Sequence, residues 1–193
     1  RIYVNNFANG WEVVVIDAAT RNKIGKIKTT SEIVGMALSD DASGDLFVAN
    51  RAKNPTTGLY DVFLTRFNPD TLIASGSKEL PFHPKGLIYV NAIYVQGGKV
   101  HTMLKVIEEA GAPGAGYIHI TDAKSMIAMQ SVALGAVWPS GMTFDVTDKT
   151  YYVTDMANHR IEMFRADAIG NLKSLGTIAG LSSPWFLTLD ASS

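Results

Sequence analysis

The sequence contains no cysteine. Disulfide scaffolding, thiolate chemistry and cysteine-ligated metals are therefore excluded, although this absence does not choose a compartment. Charge is also sparse: 18% of the 193 residues are charged, and the formal net charge is −1. No basic stretch exceeds a few residues, which argues against a nucleic-acid or acidic-membrane partner. No apolar run reaches the roughly 18 residues of a membrane-spanning helix. The sequence has neither a GxSxG nucleophile elbow nor an HExxH pair. The loop Gly111–Gly116 lacks the Gly-Lys-Ser/Thr ending of a phosphate loop.

What is present is strand pattern. Hydrophobic residues make up 47% of the chain, enough for one domain with a sizeable core. The clearest stretch is Tyr151–Phe164, YYVTDMANHRIEMF. Tyr151, Tyr152 and Val153 are β-formers. Asp155 to His159 carry a polar turn, and Ile161, Met163 and Phe164 resume the apolar pattern. A strand at Gly141–Val146 precedes it and one at Leu172–Ile178 follows, so four consecutive strands form an antiparallel meander.

The meander recurs in weaker form. Strand cores beginning at Trp11, Tyr60, Tyr117 and Arg160 are spaced by about 40–60 residues, the interval of propeller blades rather than short solenoid repeats. The units run approximately 1–31, 32–80, 81–135 and 136–180. Residues 100–109, VHTMLKVIEE, also carry some helical spacing, but the Gly97-Gly98 hairpin before them favours a strand. The first unit supplies three strands and the others four. Trp185–Leu189 resembles the first strands of the later units and predicts a closing strand over 184–190, paired with Ile2–Val4. Two arrangements fit: a closed four-bladed ring, or part of a larger propeller completed by another segment or chain. The abrupt start at Arg1 suggests a processed chain, an excised domain or part of a longer protein.

The Tyr151–Phe164 segment resembles the core of an NHL-type β-propeller blade. Ile2–Asn5 (IYVN) and Leu46–Asn50 (LFVAN) resemble the related YVTN repeats of surface-layer and secreted propellers, as do the turns Asp17–Thr20 (DAAT) and Asn68–Thr71 (NPDT). The resemblance implies an all-β propeller of four-stranded antiparallel meander blades. It implies protein or carbohydrate recognition, outside the cell or at its surface. It is weak for any one activity, because propellers carry unrelated functions.

In such a fold the loops after each second strand and the links between blades share one face. That face collects Asn6, Asn50, Arg51, His83, Glu109, Trp138, Asp155, His159 and Trp185 as binding candidates. Asn6 (or Asn5), Asn50, Glu109 (or Glu108) and Asp155 come from corresponding loops, and converging oxygens suit Ca²⁺. This resembles the calcium centre of propeller lactonases and gluconolactonase-like esterases. The same residue types also cap turns by bonding their own backbone, which is the more economical reading. An NHL-like lyase uses histidines for zinc, but His159 sits where a turn contact is expected, and His101 and His119 read as sheet-face residues. No catalytic constellation stands out. The sequence therefore favours a non-catalytic binding or scaffold propeller acting through its loop-rich face. The alternatives are a calcium-dependent lactonase-like hydrolase or metal-dependent lyase, and a structural assembly module.

Overall fold

The computed structural model describes residues 1–7, 10–80, 87–107, 114–135, 138–145, 147–166 and 172–189. Among the described residues there is no helix; the regular structure is all β. The first sheet contains β1 (Ile2–Asn6), β2 (Glu12–Ile16) and β3 (Lys23–Lys28). The second contains β4 (Glu32–Leu38), β5 (Leu46–Lys53), β6 (Tyr60–Phe67) and β7 (Ala74–Glu79). The third contains β8 (Leu87–Gln96), β9 (Lys99–Ile107), β10 (Ala115–Asp122) and β11 (Ala128–Leu134). The fourth contains β12 (Pro139–Asp145), β13 (Thr150–Asp155), β14 (Arg160–Ala166) and β15 (Leu172–Ile178). Each sheet is an antiparallel meander in chain order. The expected all-β architecture of meander sheets is therefore present, and it is propeller-like.

The sheets stack face to face because none can bury both of its faces alone. Val13 and Ile27 of the first sheet meet Ile33, Leu46, Val48 and Phe67 of the second. Phe47, Val62 and Leu64 of the second meet Ile88, Val100 and Leu104 of the third. Met103, Ile118 and Ile120 of the third meet Tyr151, Val153 and Phe164 of the fourth. Strand β9 lies between two such contacts and is buried on both sides, from Val100 to Val106. That double burial removes the alternation a half-exposed strand would show. It explains the helix-like spacing of a segment that is strand through Ile107.

One turn recurs between the last two strands of each of the first three sheets. Asp17 Oδ1 accepts from the backbone N–H groups of Ala19 and Thr20, and Asn68 Oδ1 from those of Asp70 and Thr71. Asp122 Oδ1 accepts from Ser125 N–H in the same way. These are Asx turns, as the residue types foretold. Each turn ends on a non-glycine residue in the left-handed region: Arg21, Leu72 and Met126, with φ of 61°, 58° and 60°. Two of these residues reach the preceding sheet. Leu72 fills the space where Gly25 lacks a Cβ, and Met126 packs on Gly76, with its Cγ 3.5 Å from where a Cβ would stand. The repeated backbone strain, of order 1 kcal/mol per residue, is thus tied to an inter-sheet contact.

The expected pairing of Trp185–Leu189 with Ile2–Val4 is not made. Among the described residues β1 pairs only with β2, and 184–189 form no strand. The segment instead follows the fourth sheet. Leu181 N–H donates to His159 O at 3.1 Å, Ser183 N–H to His159 Nδ1 at 3.1 Å, and Thr154 Oγ1 donates to Trp185 O at 3.1 Å. Gly141 permits this approach, because a Cβ there would stand 2.9 Å from Trp185 O.

Candidate ligand-binding face

The meander brings the ends of β1, β5 and β13 to the same end of the stack as the starts of β4, β8 and β12. At that end a cavity of about 360 Å³ opens between the first three sheets. Its walls include Asn5 and Phe7 from the first sheet, Glu32 and Arg51 from the second, and Tyr89 from the third.

Glu32 and Arg51 are register partners on β4 and β5. That registry lets the guanidinium grip the carboxylate at both oxygens, with Nε–Oε2 at 2.7 Å and Nη2–Oε1 at 3.1 Å. Arg51 Nη1 also donates to Ile88 O of the next sheet at 2.8 Å. The guanidinium carbon lies 4.8 Å from the Tyr60 ring centre and 5.2 Å from that of Tyr89. Such bidentate, ring-stacked arginines hold one orientation well.

Tyr89 and Lys105 form the corresponding cross-strand pair on β8 and β9. The Lys105 ammonium lies 4.9 Å from the Tyr89 ring centre and 3.8 Å from that of Trp138. Lys105 is 8% exposed, and burial holds its pKa below the ordinary lysine value. Among the described residues it has no carboxylate partner. A continuous row therefore runs across three sheets: Tyr60, Arg51, Tyr89, Lys105 and Trp138.

The row ends at the turn after β13. Asp155 is fully buried. Its Oδ1 accepts from Trp138 N–H at 3.3 Å, its Oδ2 accepts from Asn158 Nδ2 at 2.5 Å, and Arg160 Nε lies 3.3 Å from Oδ2. Arg160 Nη2 also bonds Glu162 Oε1 at 2.5 Å. Burial raises the Glu162 carboxyl pKa, against the lowering effect of Arg160.

Of the residues singled out from the sequence, Arg51, Trp138 and Asp155 belong to this row. His159 has a left-handed backbone (φ 54°) and accepts from Ser183 N–H, while Trp185 is 53% exposed beside it. Asn6 Nδ2 donates to Glu12 Oε1 at 3.1 Å, and Asn50 Nδ2 donates to Ser31 Oγ at 2.5 Å. His83 and Glu109 lie outside the described residues. Among the described residues no group of three His, Asp or Glu side chains could hold a metal ion. Asp155 has both carboxylate oxygens engaged, by Asn158 of its own turn and by Trp138 and Arg160. Asn50 lies within β5 and bonds the hydroxyl of a link residue rather than its own backbone. Sequence reasoning missed Phe7, Glu32, Tyr60, Tyr89 and Lys105. Only Lys105 carried a local signal, a lone charge inside the apolar strand HTMLKVI.

No protein-family model matches the chain, and no curated protein does. Solved structures do. A "putative 6-phosphogluconolactonase" from Bacteroides uniformis superposes with a TM-score of 0.64 at 13% identity, covering 96% of this chain and 55% of that one. One of the same description from Bacteroides fragilis gives 0.63 at 14% identity, covering 93% and 52%. A functionally unknown protein from Desulfotomaculum acetoxidans gives 0.62 at 11% identity, covering 90% and 50%. The chain thus spans about half the length of these structures. At such identities the likeness is one of fold.

Proposed function

We propose that the chain is a non-catalytic recognition module that binds a glycan at its loop-rich end. The observation that carries this reading is the cavity between the first three sheets, whose volume lies within the range of small-ligand clefts, roughly 300–1,000 Å³. Its chemistry suits a hydroxyl-rich ligand with apolar ring faces. Phe7 is 60% exposed and stands edge-on to Trp11, with ring centres 5.6 Å apart. Among the described residues Asn5 Oδ1 has no hydrogen-bond donor. The Glu32–Arg51 pair presents an acceptor and a donor in fixed geometry beside the Tyr89 ring. A carboxylate and guanidinium joined at two hydrogen bonds are committed to each other and poorly placed to move a proton. They are good partners for sugar hydroxyls. The reading carries with it a location outside the cell or at its surface.

The test is a glycan panel followed by titration calorimetry with Phe7→Ala. Phe7 is exposed, so its truncation leaves the melting temperature within a degree or two. Affinity is expected to fall about tenfold, equivalent to about 1.4 kcal/mol. A protein that binds no member of the panel, or that binds equally well after Phe7→Ala, would refute this assignment.

A further inference from the structure

We propose that Lys105 anchors a carboxylate subsite, so that the ligand of the loop-rich face is an acidic sugar of the uronic-acid class. This rests on the glycan reading above and specifies its ligand. The arginines of the row are already neutralised. Arg51 is held at both oxygens of Glu32, and Arg160 lies between Asp155 and Glu162. Among the cations of the row Lys105 alone is buried with no anionic partner among the described residues, and its surroundings are two aromatic faces. Aromatic rings offset part of the cost of burying an ammonium. They do not cancel its charge. A buried cation of this kind is favourable only when an anion completes it.

The ring of Tyr89 joins this cation to the cavity. It is one wall of the cavity, and its centre is 4.9 Å from the Lys105 ammonium. A sugar seated against Phe7 and Tyr89 would thus have Lys105 across the Tyr89 ring, the one cation of the row with no carboxylate among the described residues. One ammonium between two flat walls fits a planar, singly charged carboxylate. A phosphate ester carries more charge and three terminal oxygens, and wants several donors. In so dry a setting one ion pair discriminates strongly between an acidic sugar and its neutral counterpart. The lowered pKa of Lys105 agrees with a site that lacks its anion.

The experiment compares methyl glucuronide, methyl glucoside and glucose 6-phosphate by calorimetry. It adds sodium acetate as a bare carboxylate, read by Trp138 emission in a protein carrying Trp11→Phe and Trp185→Phe. The glucuronide is expected to bind at least tenfold tighter than the glucoside. Lys105→Met and Lys105→Gln should abolish that preference without lowering the melting temperature, and Lys105→Arg should retain part of it. Acetate should shift Trp138 emission saturably, and only when Lys105 is present. Equal binding of glucuronide and glucoside, or a preference that survives Lys105→Met, overturns the subsite. Tighter binding of glucose 6-phosphate overturns the carboxylate assignment. Glucoside binding without an acetate response leaves the glycan reading standing and removes the subsite. A Lys105-dependent acetate response without binding of any sugar keeps the subsite and removes the glycan reading. Absence of both removes both.

Discussion

Lowering the pH from 7.5 to 5 should weaken this protein chiefly through His101. That side chain is 4% exposed on β9, and its Nδ1 lies 2.5 Å from the Tyr151 hydroxyl of β13. Its ring stacks on Phe144 at 6.1 Å, so three side chains lock the third sheet to the fourth. Burial pushes the His101 pKa down from 6.5 to about 4; nearby Lys99 adds to the effect and Asp40 opposes it slightly. The folded state therefore holds His101 neutral where the unfolded chain would take a proton. The stability this contributes is complete above the unfolded pKa of 6.5 and falls as pH drops toward 4. Each pH unit inside that window removes about 1.4 kcal/mol. Between pH 6.5 and pH 5 the loss is about 2 kcal/mol from this residue, and the ordinary carboxylates have scarcely begun to titrate. His119 adds in the same direction, because burial lowers its pKa too and neither ring nitrogen has a partner among the described residues. Urea unfolding at pH 7.5, 6.5, 5.5 and 5.0 measures the slope. His101→Gln should be less stable at pH 7.5, yet should lose about 2 kcal/mol less than wild type between pH 6.5 and 5. Equal losses in the two proteins would refute the assignment.

Other consequences can be checked with the same assays. Met126→Ala should cost about 2–3 kcal/mol, since it removes a 6%-exposed side chain that packs between the second and third sheets. A change below 0.5 kcal/mol would mean that the turn residue does not join the sheets. Asp155→Ala should lower stability by about 2–3 kcal/mol, because Trp138 N–H, Asn158 and Arg160 lose a buried charged partner. That loss should be the same in excess Ca²⁺ and in chelator. A calcium-dependent rise in melting temperature that vanishes in Asp155→Ala would restore a metal role for this carboxylate.

The strands were legible in the sequence because their signals are local. Period-two alternation in Tyr60–Phe67 and the β-formers of Tyr151–Val153 need no distant partner to be read. The same holds for the turns at Asp17, Asn68 and Asp122, where a side-chain oxygen bonds backbone two or three residues ahead. Candidate residues were legible only as a face: topology alone places Arg51, Trp138 and Asp155 at one end of the stack. Three things were decided by tertiary structure. Lys105 reads in the sequence as one charge in an apolar strand, and only sheet stacking brings Tyr89 and Trp138 over it. His101 and Tyr151 are far apart in the chain and meet because the third and fourth sheets share a core. Trp185–Leu189 has the apolar pattern of an inner strand, but a strand exists only where a neighbour supplies its hydrogen bonds. Here His159 and Thr154 hold the segment to the fourth sheet instead. Backbone pattern is written in neighbouring residues, whereas the site depends on which sheet faces which, and that is settled by the burial of faces contributed from the whole chain.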